Sequence, residues 1–220
     1  MTQQKQTQTL ALLGATGGTG QAFLDEALSR GHRVRALVRE GSTLEPRPGL
    51  TIVRGDATDR SALHQLVQGV DATVIALGAP AFSKSRIRSE NAAALRVVLP
   101  AGSRVVCLSV LGAHESKPML PLLYRTIIFP LYLRRVVADH ERQETILGEA
   151  ELEVTFVRPP NLTDGPAERR FAHGLDDLKG TTMKVSRADL AVFMADEVES
   201  GRYAGGAVIL SDLKAVAAAA

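Results

Sequence analysis

The fold is decided by Leu10-Ala11-Leu12-Leu13-Gly14-Ala15-Thr16-Gly17-Gly18-Thr19-Gly20. Four apolar residues run into a glycine turn, and Gln21 to Ser29 then has amphipathic spacing. This order reads as a buried strand, a sharp turn and a helix start. Glycines let the backbone turn tightly and come close to an anion, which the helix's first N–H groups and positive end then face. Such a unit suits the pyrophosphate of a dinucleotide. The spacing is G-x-x-G-x-x-G, and glycines alone serve loops for steric reasons. The placement between strand and helix is what makes the triplet read as nucleotide-binding.

Outward from the turn, apolar runs and helical segments alternate. Arg33 to Arg39 reads as strand two, and Leu50 to Val53 as strand three, ending at Gly55-Asp56. Asp59 is placed to cap a helix whose inner face carries Leu63, Leu66 and Val67. Val70 to Gly78 reads as a buried strand, about Glu90 to Leu99 as a helix and Arg104 to Ser109 as another buried strand. Near-continuous apolar strands between helices imply a parallel sheet covered on both faces. The expected fold is therefore α/β, a Rossmann-like doubly wound parallel sheet flanked by helices, with ligands at the carboxyl ends of the strands.

After Ser109 a proline-broken apolar stretch runs to Leu133, followed by a charged helix from about Arg134 to Glu149. Glu153 to Val157 reads as a strand, Thr163 to Gly180 as a polar loop, Arg187 to about Glu199 as a helix capped by Ser186, and Ala207 to Leu210 as the last strand. Residues 9–212 form one domain, with 1–8 a polar lead-in and 213–220 an alanine-rich tail.

The 220 residues are 45% hydrophobic, enough for one good core. A net charge of +2 and 4% aromatic content give no basis for nucleic-acid binding. The single cysteine, Cys107, cannot form an internal disulfide and suits a reducing, cytoplasmic setting. Met119 to Leu133 is interrupted by Pro121, Arg125 and Pro130, too short and broken for a transmembrane segment. Buried packing is its simplest account, with a substrate lid, a partner surface and a membrane-surface contact as alternatives. The five histidines are widely spaced, so no metal site is expected.

An acidic residue at the end of strand two would hold the ribose of NAD, whereas an arginine suits the 2′-phosphate of NADP. This chain has Arg39 there, with Arg35 behind it, so NADP(H) is preferred over NAD(H). Asp56 is either an adenine contact or a turn residue.

Gly14 to Gly20, Val38-Arg39, Gly55-Asp56 and Ile75-Ala76-Leu77-Gly78 together resemble the atypical short-chain dehydrogenase/reductases. Arg104 to Ser109, Ala138-Asp139-His140 and Val157-Arg158-Pro159-Pro160-Asn161 are similar to the NAD(P)H-binding branch that contains the biliverdin IXβ/flavin reductases. The resemblance covers residues 9 to 212. It implies that Gly14, Ala15, Thr16, Gly17, Gly18, Thr19 and Gly20 cradle the pyrophosphate and that Asp56 and Ala57 flank the adenine. Leu77, Gly78 and Ala79 would meet the central ribose region, and Cys107, Leu108 and Ser109 the nicotinamide ribose. Pro159, Pro160 and Asn161 would pass the nicotinamide amide, with His140 near its ribose. The flavin reductase pattern has a histidine after its Pro-Pro pair, where this chain has Asn161, so a proton donor at that place does not transfer.

The Tyr-x-x-x-Lys pair of most short-chain dehydrogenases is missing. Tyr124, Tyr132 and Tyr203 are followed four residues later by Ile128, Val136 and Ala207. The expected activity is hydride transfer from NADPH to a flavin or similar conjugated small-molecule acceptor, driven by proximity and orientation. Ser109 is either an orienting hydroxyl or a plain strand-end serine. His140 is a proton donor or ribose contact, or, as a histidine on a charged helix, simply solvated. Tyr124, Phe129 and Tyr132 are the aromatics expected beside a stacked acceptor ring. A non-catalytic NADP(H)-binding sensor or assembly protein is the alternative, and a sugar epimerase or dehydratase a weaker one. Oligomeric state is not legible.

Overall fold

The computed structural model describes residues 7–80, 83–174 and 176–214. Most of the lead-in and tail expected at residues 1–8 and 213–220 lies outside them. Strand β1 (Thr9–Leu13) leads through the glycine turn into α1 (Gly18–Ser29), then β2 (Arg33–Val38), β3 (Leu50–Arg54), α2 (Arg60–Val67), β4 (Ala72–Ile75), α3 (Ile87–Val98) and β5 (Arg104–Leu108). The second half carries a 3₁₀ turn (His114–Met119), a π-helical segment (Tyr124–Leu133), α4 (Arg134–Gly148), β6 (Glu153–Arg158), β7 (Asn161–Thr163), β8 (Phe171–His173), β9 (Lys184–Ser186), α5 (Arg187–Ser200) and β10 (Gly206–Asp212).

The strands of one sheet lie in the order β3-β2-β1-β4-β5-β6-β10-β8, parallel except for β8, and β7 pairs with β9 separately. Strand order reverses between β1 and β4, which opens a crevice at their carboxyl ends. Period-two alternation assigns each residue of β1 to a layer. Leu10 and Leu12 pack with Phe23 and Leu24 of α1 and Leu190 and Phe193 of α5. Ala11 and Leu13 pack with Leu63 and Leu66 of α2, Leu95 of α3 and Leu147 of α4. The doubly wound single domain expected from the apolar strands is the fold observed.

Local caps form as their sequences dictate. The Asp59 side chain accepts from the Ser61 amide at the start of α2, and the Ser186 hydroxyl accepts from the Asp189 amide at the start of α5. Asp189 is buried and also accepts from the Glu168 and Arg169 amides, fixing the approach to α5.

Two expectations fail. The stretch Thr163 to Gly180 is not all loop: Phe171–His173 pairs antiparallel with β10, held by Phe171 edge-on to Phe193 and by His173 Nδ1 2.7 Å from the Tyr203 hydroxyl. Met119 to Leu133 is not buried. Phe129 is buried beside Leu111, Leu120 and Val137, whereas Leu122, Leu123, Ile127, Leu131 and Tyr132 are exposed. Pro130 has no N–H for the helical ladder and its ring crowds the preceding turn, which accounts for the wide coil.

Candidate functional site

A cleft of about 570 Å³ opens at the carboxyl ends of β1, β2 and β4. Gly14, Thr16 and Gly17 form one wall, Arg39, Asp56 and Ala57 the far end, and Leu77, Gly78 and Ala79 the opposite wall. Nine residues singled out from the sequence thus meet in one place. Leu13, Leu37, Gly55, Ala76, Pro80, Ser85 and Ile87 complete the lining and were missed. Leu13 ends β1 and Leu37 stands one residue before the end of β2, and that position in the strands was the signal that could have found them.

The turn is shaped by backbone constraints. Gly14 has φ +86°, and a Cβ there would run into the Ala76 carbonyl; a Cβ on Gly20 would run into the Gly14 carbonyl. The Gly17 amide donates to Gly14 O at 2.9 Å. Gly17 supplies no side-chain cap to α1, whose first turn carries no acidic residue. An uncapped helix start facing a cleft, with glycine where backbone comes close, fits a phosphate group. Ala15, Thr19 and Gly20 are buried, so they shape the turn rather than line the cleft. Gly18 faces Arg187, whose Cδ and Nε would stand 2.9 and 3.0 Å from an added Cβ. Arg187 is held by Asp164 at 2.6 Å. No sequence pattern pointed to this cation beside the turn, because α5 reaches it only through the fold.

At the far end Arg39 is exposed, immediately beyond β2, and no ion pair among the described residues involves its guanidinium. Arg35 does not support it. The Arg35 guanidinium donates to the Gln65, Leu66 and Gln68 carbonyls at the end of α2. Arg54 does so instead, donating to Arg39 O at 3.3 Å and Ser42 O at 2.7 Å. Asp56 Oδ1 accepts from the Thr58 amide and hydroxyl at 2.9 and 2.6 Å; these bonds, with Arg39 nearby, hold its carboxyl below the usual range. It is therefore a turn residue and a cleft residue at once.

The residues expected around the nicotinamide half lie beyond that cleft, at the ends of β5 and β6. The Ser109 hydroxyl donates to Glu144, and Glu144 also accepts from Arg158 Nε and Nη2 at 3.0 and 2.5 Å. Arg158 Nη1 reaches Glu115 at 2.6 Å. Ser109 is thus committed to a buried ion-pair network, neither a free orienting hydroxyl nor a plain strand end. No spacing along the chain marks Glu144 and Arg158 as its partners.

His140 is not solvated. It is 6% exposed, its Nδ1 has no hydrogen-bond partner among the described residues, and burial with Arg88 nearby lowers its pKa to about 3. An imidazole held neutral this firmly is no store for an acidic proton. The Cys107 side chain is fully buried in the α2–α4 layer, and burial pushes its thiol far up. Leu108 is buried in the opposite layer.

Pro159 is buried, Pro160 half-buried and Asn161 exposed. Asn161 Nδ2 donates to the Tyr124 hydroxyl at 3.3 Å and to Met183 O at 3.2 Å. Two of the three aromatics come together: Tyr124 packs against the buried cluster that contains Phe129, with its hydroxyl on Asn161, whereas Tyr132 is exposed. No cluster of metal-binding side chains occurs among the described residues, and no helix there is long and apolar enough to cross a membrane.

A doubly wound sheet with a phosphate-shaped glycine turn defines a nucleotide-binding Rossmann-type protein. A family model described as NAD(P)H-binding matches residues 14–200, and the chain belongs to that family. The reductase pytE of Aspergillus terreus is 26% identical over an alignment of 261 positions, covering 92% of this chain and 97% of that one. Among solved structures, a short-chain dehydrogenase/reductase from Veillonella parvula DSM 2008 in complex with NADP superposes with a TM-score of 0.77 at 18% identity, covering 94% and 95% of the two chains. The anaerobillin reductase ChuY of Escherichia coli O157:H7 does so with a TM-score of 0.71 at 20% identity, covering 94% and 100%.

Proposed function

We propose that this NAD(P)H-binding protein is an NADPH-dependent oxidoreductase whose acceptor is a flavin or a similar conjugated small molecule. The observation that carries the cofactor choice is Arg39, just beyond β2 and in no ion pair among the described residues, in the same cleft as the glycine turn. The turn at Gly14–Gly17 and the start of α1 receive the pyrophosphate, and Arg187 adds positive charge beside it. Arg39 takes the 2′-phosphate, with Arg54 holding its carbonyl and that of Ser42. Asp56, kept ionised by Thr58, accepts from the adenine amino group.

When bound, the nicotinamide supplies a hydride. The protein's own contribution is placement. Glu144 ties Ser109 and Arg158 together at the ends of β5 and β6, all three buried, and Asn161 donates to Tyr124, which holds the chain rigid beside a planar acceptor. His140 is neutral and the chain lacks Tyr-x-x-x-Lys, so the proton comes from solvent, which an electron-accepting conjugated ring tolerates. The reductase names of pytE and ChuY support the reaction class.

The test is titration of the protein with NADPH and with NADH, then addition of FMN and a panel of conjugated acceptors. Tighter NADPH binding with saturable, acceptor-dependent loss of nicotinamide absorbance is expected. Tight binding without turnover on any acceptor moves the protein to the class of NADP(H) sensors.

A further inference from the structure

The exposed apolar side chains of this protein are concentrated in one segment. Leu122, Leu123, Ile127 and Leu131 are 66, 56, 45 and 71% exposed, and of the other large hydrophobics so exposed among the described residues only Val97 and Leu213 lie outside this segment. Phe129 anchors the segment among Leu111, Leu120 and Val137, so its outer face is held outward rather than waiting to fold in. The charge is equally one-sided. From Ser116 to Ala138 there is no acidic residue, while Lys117, Arg125, Arg134 and Arg135 are all present and exposed. None of the four forms an ion pair among the described residues. Of the acids flanking this stretch, Glu115 pairs with Arg158, and Asp139 with Arg88 and the start of α3. Glu141, which accepts from the His114 amide, is the acid beside Lys117 and Arg134 in a small cavity there.

We propose that residues 117–135 form a peripheral docking surface for an anionic lipid bilayer, the leucines and isoleucine entering the headgroup boundary while the four cations meet lipid phosphates. A short coil with protruding aliphatic side chains and basic flanks has the composition of an element that lies in the interface plane. The ten-residue coil Tyr124–Leu133 is too short to span the bilayer. A second copy of this chain fits the face less well. A two-fold contact would press Arg125, Arg134 and Arg135 onto a patch that carries no acid between Ser116 and Ala138. The side chains the inference uses, Leu122, Leu123, Ile127, Leu131 and the four cations, do not line the cleft, although Tyr124 of the same segment holds Asn161.

The experiment is flotation of the full chain with vesicles of phosphatidylcholine alone or with about one third phosphatidylglycerol, at roughly 0.1 and 0.5 M NaCl. The protein is expected to float with the anionic vesicles at least about tenfold more than with neutral ones, and to detach at high salt. Leu122→Glu/Leu131→Glu and, separately, Arg125→Glu/Arg134→Glu/Arg135→Glu are each expected to abolish flotation. All five positions are exposed, and circular dichroism and thermal melting establish which variants are folded. Absence of flotation, equal flotation with neutral vesicles, or retained flotation of either folded variant overturns the proposal. A dimer in light scattering that the variants dissociate, without vesicle binding, also overturns it and assigns the face to a second copy.

Discussion

Gly17 has space for a side chain as far as the protein is concerned. Its backbone is extended, φ −84° and ψ 158°, and an added Cβ would meet only the Gly14 carbonyl at 3.4 Å. The space a valine there would fill belongs to the cleft. Gly17→Val is therefore expected to melt like the parent yet to bind NADPH and NADH at least about tenfold more weakly, because branched methyl groups occupy the phosphate's place. Undiminished affinity in a calorimetric titration would mean that the turn serves packing alone. Gly20 behaves differently, since its Cβ would collide with the Gly14 carbonyl and damage the fold itself. Arg39→Ala probes the other end of the cleft. A lost charge-assisted contact is worth about 1.5–3 kcal/mol, so NADPH affinity is expected to fall by roughly ten- to a hundredfold while NADH affinity barely moves. Equal losses for both nucleotides would sink the assignment of Arg39 to the 2′-phosphate.

At the scale of elements, the start of α3 shows what sequence patterns miss. Its N-cap, Arg86, provides no capping side chain, and the cap comes from α4. Asp139 accepts from the Arg88 amide at 3.2 Å, the Ser89 amide at 3.2 Å and the Ser89 hydroxyl at 2.6 Å, and lies 3.6 Å from the buried Arg88 guanidinium. Asp139→Ala would uncap α3 and strand a buried cation. The expected cost is about 3–5 kcal/mol in urea unfolding. Asp139→Asn, which keeps an acceptor but not the charge, is expected to cost less. A loss within a few tenths of a kcal/mol for Asp139→Ala would show that Arg88 escapes to solvent. Asp59 and Ser186 were legible as caps because they bond two or three residues ahead, whereas Asp139 sits some fifty residues from its helix. The same distance in sequence hid β8, three residues whose strand identity comes from β10 and from Phe193.

Across the whole molecule, the legible part is the half whose chemistry is local. The β1–glycine turn–α1 unit, Arg39 and Asp56 each sit at a strand end that apolar periodicity locates, so parallel pairing brings them together without further information. The half beyond β5 depends on side chains meeting across elements, Ser109 with Glu144 and Arg158, and His140 with Arg88, which no spacing along the chain encodes. That half also gives the molecule its acid response. An ordinary histidine titrates near 6.5, but His140 in the fold is held to about 3 by burial, with Arg88 opposing its charge. Above about pH 6.5 it is neutral in both states and stability does not depend on it. As pH falls below 6.5 the unfolded chain takes up a proton that the folded one refuses, so stability falls, by up to about 1.4 kcal/mol per pH unit, until the folded pKa is reached. His173 is also lowered, chiefly by burial, and adds in the same direction. The lowered carboxyls of Glu115 and Asp56, with ordinary values of 4.5 and 3.8, add their own losses only at more acid pH. The Asp212 carboxyl, raised by burial, acts in the opposite sense as pH falls. Its contribution is common to parent and variant, so the comparison with His140→Gln isolates that histidine. Urea midpoints of His140→Gln are expected to fall less steeply from about pH 6.5 to 5 than those of the parent. Parallel profiles for the two proteins would mean that His140 takes up its proton inside the fold.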